Sequence, residues 1–301
     1  MNTPVSEASG LTVKQKWGSI TIVGCGLMGA SFALAMKSAG ACTKVAGWDK
    51  SSSALDEAMR RGAIDEVDYA FAREDVSSSD LIYLAMPVEE IIDFLGKRGR
   101  QVKAGATITD AGSTKVKICR TASINLPRDR HFVGGHPVAG SHLCGPMHAR
   151  ADLFNDSPYV LIEQEDEEAR SSLVALKETL GHLGARVTLM SAREHDRAMS
   201  LVSHLPQIVS SALARVVREQ PDRDALLNLS GAGFRDMTRL AASSWSVWRD
   251  VLATNSKEIA ASLDSLIRGL SAVRDELSEC AGGCGEKLKA TGDLFSDSRL
   301  S

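Results

Sequence analysis

Three glycines spaced G-x-G-x-x-G, at Gly24, Gly26 and Gly29, constrain the fold of this chain more than any other feature. They stand in SITIVGCGLMGASFALAMKSAG, where a β-branched apolar run stops at a glycine turn and the sequence resumes with helical spacing. The order is strand, tight turn, helix. The first glycine permits the turn, the second lets the backbone approach a pyrophosphate, and the third lets helix and strand pack closely. Amides at the helix start, Leu27 and Met28 among them, would face the phosphates. Glycines also end strands for purely structural reasons, so the pattern needs support. The next strand, KVAGWD, supplies it. Asp49 follows Gly29 by twenty residues, at the strand end where a carboxylate accepts hydrogen bonds from the adenosine ribose hydroxyls. A 2′-phosphate would be repelled there, which favours NAD over NADP; only the neighbouring Lys50 argues the other way.

Alternation of strand and helix continues. SSSALDEAMRRG reads as a helix with a serine cap and a glycine stop, and DLIYLAMPVEEIIDFL as a buried strand followed by a helix opened by Pro87. Met86 and Pro87 therefore stand at a second strand end facing the cofactor. ATITDAGSTKVKICRTA is a further strand, turn and helix; either Ser113 or Thr114 caps that helix, or one of them faces the reaction centre. HFVGGHPVAGS reads as a short strand ending in Gly-Gly, with His136 in the turn that follows. PYVLIEQ and ARVTLMS are two more strands, separated by a helix whose acidic run lies at its favourable N-terminal end. Beyond residue 190 the pattern becomes helical, and Pro206 is expected to bend the first long helix. The fold class is thus α/β: a Rossmann-type dinucleotide-binding domain over 18–190, then a smaller all-helical domain over 191–272, between flexible ends at 1–17 and 273–301.

A net charge of −3 gives no reason to expect nucleic-acid or membrane-surface partners, and no apolar run is long enough to span a bilayer. Polar residues occupy the N-terminus where a secretion signal would be apolar, and Cys25, Cys42, Cys119, Cys144, Cys280 and Cys284 are scattered, so a reduced cytoplasmic protein is expected. The CAGGC pair near the C-terminus offers two thiols, too few for a metal site, and no metal is expected.

GCGLMG, DAGSTK, GGHPVAGS, SHLP and GFRDMTRLA, in this order over about residues 18–270, resemble the prephenate/arogenate dehydrogenases of tyrosine biosynthesis. The resemblance implies an NAD-dependent oxidative decarboxylation. Hydride leaves the hydroxyl-bearing ring carbon of a cyclohexadienol, the ring carboxylate leaves as CO2, and the ring becomes aromatic. By similarity His136 is the catalytic histidine that accepts a hydrogen bond from the substrate hydroxyl, and Ser113 helps orient it. Arg239 matches the arginine that holds a substrate carboxylate, the alternative being a helix-surface ion pair. Trp248 and Asp196 match positions near the pocket, with a core or dimer contact the alternative for Trp248, and Ser141 and His204 are further substrate-binding candidates. Two positions depart from the pattern. Gln207 stands where the family often has a histidine after SHLP, and His142 where many members have an acid. Without a carboxylate at 142 to meet an ammonium group, prephenate is expected over arogenate. The leading residues leave no room for a chorismate mutase domain and the trailing ones none for an ACT domain, so any tyrosine feedback would act at the active site. Helical second domains of this kind commonly pair with a copy of themselves, so a homodimer is expected. The remaining alternatives are a dehydrogenase of another substrate, such as aminodeoxyprephenate or a β-hydroxyacid with Lys257 as its lysine, and an NAD-binding sensor.

Overall fold

A computed structural model describes residues 17–73, 75–139, 143–164 and 166–279. Ser141 and His142, and the cysteine pair Cys280 and Cys284, lie outside the described residues.

The first half is a doubly wound sheet. β1 (Trp17–Val23), β2 (Cys42–Trp48), β3 (Glu66–Val67), β4 (Leu81–Leu84), β5 (Thr107–Asp110) and β6 (His131–Val133) form one sheet in the order β3-β2-β1-β4-β5-β6, with every neighbouring pair parallel. Parallel strands need crossovers, supplied here by α1 (Leu27–Ser38), α2 (Ser52–Arg60), the short α3 (Ala70–Arg73), α4 (Val88–Lys97) and α5 (Val116–Asn125). Their start and stop chemistry follows the sequence. The Ser51 hydroxyl accepts from the Ala54 amide at the head of α2, and Gly62, at φ +70°, follows its end. Helices on both faces bury most of the central strands, and all four residues of β4 are inaccessible to solvent. Phe32 of α1 stacks on Tyr83 of β4 with ring centroids 3.9 Å apart. On the other face Phe71, Phe94, Ile108 and Ile118 pack together. Each such side chain contributes about 1.5–3 kcal/mol by leaving water.

The later strands do not extend this sheet. β7 (Gly135–Pro137), β8 (Pro158–Ile162) and β9 (Arg186–Met190) form a second sheet, antiparallel between β7 and β8 and parallel between β8 and β9. α6 (Glu167–His182) crosses from β8 to β9, opened by Asp166, whose carboxylate accepts from the Ala169 amide. The stretch HFVGGHP is therefore two strands broken at Gly134, and His136 is the middle residue of the second, opposite Val160, rather than a turn residue. Neither glycine of the break has positive φ; the reason for them is space. A Cβ at Gly135 would lie 2.6 Å from the Asp110 carbonyl oxygen, and one at Gly134 would lie 3.0 Å from Cys119 Sγ.

The remaining helices are α7 (Ala192–Met199), α8 (Leu205–Arg218), α9 (Arg223–Asn228), α10 (Ala232–Thr238) and α11 (Trp245–Glu279). The helical pattern is interrupted just before Pro206. Ser200–His204 form a π-helical turn, and Pro206 lies in the first turn of α8, where its missing N–H costs nothing. α11 runs past the expected boundary at 272 and is helical to Glu279, with non-helical dihedrals at Asn255 (φ −127°, ψ 22°). The chain forms two compact units. Of the described residues, one comprises those up to 199 with 243–254, the other 200–242 with those from 255 on.

Candidate active site

Two clusters in the first unit lie at the carboxyl ends of the parallel strands, where open α/β sheets bind ligands. The first is the glycine turn. Gly24 takes φ +96°, and its amide donates to the Trp48 carbonyl at 2.8 Å. A Cβ on Gly29 would sit 2.0 Å from the Gly24 carbonyl oxygen, so the third glycine is demanded by helix–turn packing. Gly26 is different, because a Cβ there would meet nothing within 4 Å. It heads α1 without a side-chain cap, which leaves the first-turn amides of Leu27 and Met28 with no intrahelical acceptor. The Asp49 carboxylate accepts from the Cys25 amide in the turn and from the Ser51 amide, both at 2.8 Å, which fixes it beside the glycines. A cavity of about 290 Å³ is lined by Gly24, Gly26, Trp48, Asp49, Met86 and Pro87, among others. Lys50, the residue that argued for NADP, pairs with Glu90 at 2.8 Å. Burial, with the neighbouring Asp49 charge, pushes the Cys25 thiol up to about 12, so it is inert at neutral pH.

The second cluster is built on the β5–α5 turn, DAGSTK. Asp110 ends β5 fully buried and accepts from the amides of Gly112 (2.9 Å) and Gly135 (3.0 Å). Lys115, also fully buried, donates its ammonium to Asp110 and, at 2.6 Å, to the Gly135 carbonyl. One ion pair thus ties the end of β5 to the strand that carries His136. The His136 ring hydrogen-bonds through Nδ1 to His195 Nε2 at 2.8 Å, and His195 Nδ1 meets Asp196 Oδ1, also at 2.8 Å. Both α7 residues are buried. The Asp196 carboxylate also accepts from the amides of Lys115 (2.7 Å) and Val116 (2.9 Å).

The capping expectation for Ser113 and Thr114 is therefore corrected. Neither hydroxyl caps α5, because Asp196 reaches across from α7 and occupies the amides they would have served. Thr114 Oγ1 bonds instead to Thr254 Oγ1 at 2.8 Å. Ser113 is half-buried and makes no side-chain hydrogen bond among the described residues. His195, which sequence reasoning passed over, hydrogen-bonds His136. Its signal was present in REHDRAM, where an adjacent His-Asp pair opens a helix, but nothing local says which histidine they meet. Lys115 was likewise missed, since a lysine at a helix start reads as surface. Trp248 is half-buried in the same unit.

In the second unit, His204 is buried and contacts Asn255 through Nδ1 at 3.2 Å. Gln207 is buried too, and its amide donates to the Leu240 carbonyl at 2.8 Å. Leu240 follows Arg239 in a 3₁₀ turn, Arg239–Ala242, so Gln207 braces the turn that presents the arginine. Arg239 is exposed and makes no ion pair among the described residues, so the helix-surface pair that was its alternative is not formed. Among the described residues no group of three or more His, Cys, Asp or Glu could hold a metal ion, and no helix is long and apolar enough to cross a membrane.

Residues 32–189 match the model of the prephenate dehydrogenase nucleotide-binding domain, and residues 191–288 match the model of the prephenate dehydrogenase dimerization domain. A prephenate dehydrogenase of Bacillus subtilis is 33% identical over 264 residues, spanning 87% of this chain and 71% of that protein. A crystal structure of prephenate dehydrogenase from A. aeolicus in complex with hydroxyphenyl propionate and NAD+ superposes with a TM-score of 0.85, at 29% identity, over 95% of this chain and 99% of that one. Synechocystis arogenate dehydrogenase is also similar, with a TM-score of 0.77 at 28% identity over 93% of this chain and 98% of that one.

Proposed function

The chain belongs to the prephenate dehydrogenase family, and from that premise we propose that it oxidises and decarboxylates prephenate to 4-hydroxyphenylpyruvate with NAD. The observation that carries this reading is the position of His136 beside the carboxyl end of β5, held by Asp110 and Lys115, at the same carboxyl-end side of the parallel sheet as the glycine turn. NAD fits the residues present: Gly26 opens onto free space, the head of α1 is uncapped, and the Asp49 carboxylate stands where ribose hydroxyls are read. Bound there, NAD supplies the hydride acceptor.

His136 then serves as the base for the substrate hydroxyl. The C–H bond at the carbinol carbon breaks with its electron pair, and the hydroxyl proton passes to the imidazole. The bond to the ring carboxylate breaks next, its pair enters the ring, and the ring oxygen regains the proton as CO2 departs. Protons balance without a second base. Ser113 hydrogen-bonds the hydroxyl or the imidazole. Arg239 holds a substrate carboxylate with its guanidinium fork, a task its exposure and lack of an ion pair support. His204, Gln207, Ser141, His142 and Trp248 belong to the substrate-binding set, with Met86 and Pro87 beside the cofactor. A homodimer is supported by exposed apolar side chains on the helical unit, Leu201, Val202, Val216 and Leu229, and a cytoplasmic site of action belongs to the same reading.

The test is NADH formation at 340 nm on adding prephenate or arogenate to the purified protein. Turnover of prephenate supports the reading. Faster turnover of arogenate moves the substrate to the amino compound, and turnover of neither refutes the proposal.

A further inference from the structure

One hydrogen-bond chain leaves His136 through Nδ1. It continues through a second, fully buried imidazole to a buried carboxylate. The direction of each bond follows from its far end. The Asp196 carboxylate already accepts the amides of Lys115 and Val116 and has only lone pairs to offer. His195 Nδ1 must therefore carry the hydrogen between them. A neutral His195 then presents a lone pair at Nε2, so the hydrogen on the 2.8 Å bond to His136 belongs to His136 Nδ1. That assignment leaves His136 Nε2 unprotonated.

We propose that His195 is a positioning residue that holds His136 in its Nδ1–H form, with Nε2 as the base, and that Asp196 fixes His195 in turn. The inference rests on the reading of His136 as the base in the proposed function. It gives the two α7 residues the task of choosing which imidazole nitrogen meets the substrate hydroxyl. It also answers why His195 and Asp196 are buried: in a low-dielectric setting a wrong hydrogen placement is costly to correct, so the tautomer is set before substrate arrives. When His136 takes the proton, both its nitrogens donate, and the bond to His195 persists unchanged in direction. Nothing in the cluster need rearrange during the step.

Two measurements test this. With uniformly ¹⁵N-labelled histidine, the resonances of His136, assigned by comparison with His136→Asn, are expected to report an Nδ1–H, Nε2-bare ring in the resting protein. An Nε2–H ring would overturn the proposal. The readout needs no turnover, so it separates this inference from the choice of substrate: a protein that oxidises neither acid but shows the Nδ1–H ring refutes the function and keeps the positioning role. Kinetically, His195→Phe is expected to lower kcat by ~10²-fold or more while KM for substrate and the Kd for NAD stay within about threefold. His195→Gln, whose amide can accept from His136 and donate to Asp196, is expected to restore at least a tenth of the activity. Wild-type kcat in His195→Phe, or equal loss in both variants, would overturn it.

Discussion

Replacing Lys115 by methionine removes the ammonium but keeps most of the side chain's volume. In the structure both Lys115 and Asp110 are fully buried, and the ammonium serves two acceptors, the Asp110 carboxylate and the Gly135 carbonyl. Breaking a buried pair by deleting one partner costs about 3–5 kcal/mol, because the other charge is left without compensation. Asp110 would keep the amides of Gly112 and Gly135, which argues for the lower end. The Gly135 carbonyl would lose its donor, which adds ~1 kcal/mol. The expected loss is thus about 3–4 kcal/mol. For a unit of about 200 residues that corresponds to a fall in Tm of roughly 6–16 °C. Thermal melts followed by circular dichroism, with urea titrations for the free energy, measure it. The double variant Asp110→Asn, Lys115→Met discriminates the cause, since it removes both charges and should recover at least half the loss. A single variant that melts within about 1 °C of wild type would refute the reasoning. So would a double variant no more stable than the single, because the cost would then lie in packing and not in an unpaired charge.

Glycine substitutions should separate the turn's two duties. Gly29→Ala is expected to destabilise the fold, its Cβ meeting the Gly24 carbonyl at 2.0 Å, whereas Gly26→Ala should leave Tm within ~1–2 °C and weaken NAD binding at least tenfold by fluorescence titration. Arg239→Gln should raise the substrate KM by roughly 10–150-fold, the equivalent of about 1.5–3 kcal/mol for a charge-assisted hydrogen bond, with kcat little changed and NAD affinity intact. The acid limb of stability should depend on Asp80. Partial burial works to raise its carboxyl, but the Lys103 ammonium and the Ser19 amide outweigh it and hold the group below the ordinary carboxylate range. A depressed carboxylate contributes stability above its unfolded value, about 3.9, and loses it as pH falls through the lower folded value. Urea melts at pH 6 and pH 3 should therefore differ less in Asp80→Asn than in wild type, and an unchanged difference would remove Asp80 from the account.

Local chemistry was enough for the first half of the fold. The glycine spacing and the serine cap at Ser51 act within a few residues, and Asp49 meets the Cys25 amide 24 residues back within a single strand–helix–strand unit, so their meaning survives without the rest of the fold. The same holds for the change to helical pattern after β9. His136 was legible as a special histidine because two glycines and a proline flank it. Its setting was not: that the strand breaks at Gly134 and pairs with β8 depends on Ile162, Cys119 and the Asp110 carbonyl, all distant in sequence.

Sequence alone, then, determined the dinucleotide-binding turn, the alternation that builds a parallel sheet, and the candidate base and carboxylate anchor at His136 and Arg239. Tertiary structure decided what holds them. It took Asp196 to the head of α5, where Ser113 or Thr114 was expected, put His195 behind His136, and buried Lys115 against Asp110. The physical reason is range. A cap or a tight turn is settled by neighbours in the chain, whereas a buried charge or an imidazole is settled by whichever partner the packing brings within hydrogen-bond reach, and apart from Asp110, five residues from Lys115, those partners here are twenty to eighty-one residues away.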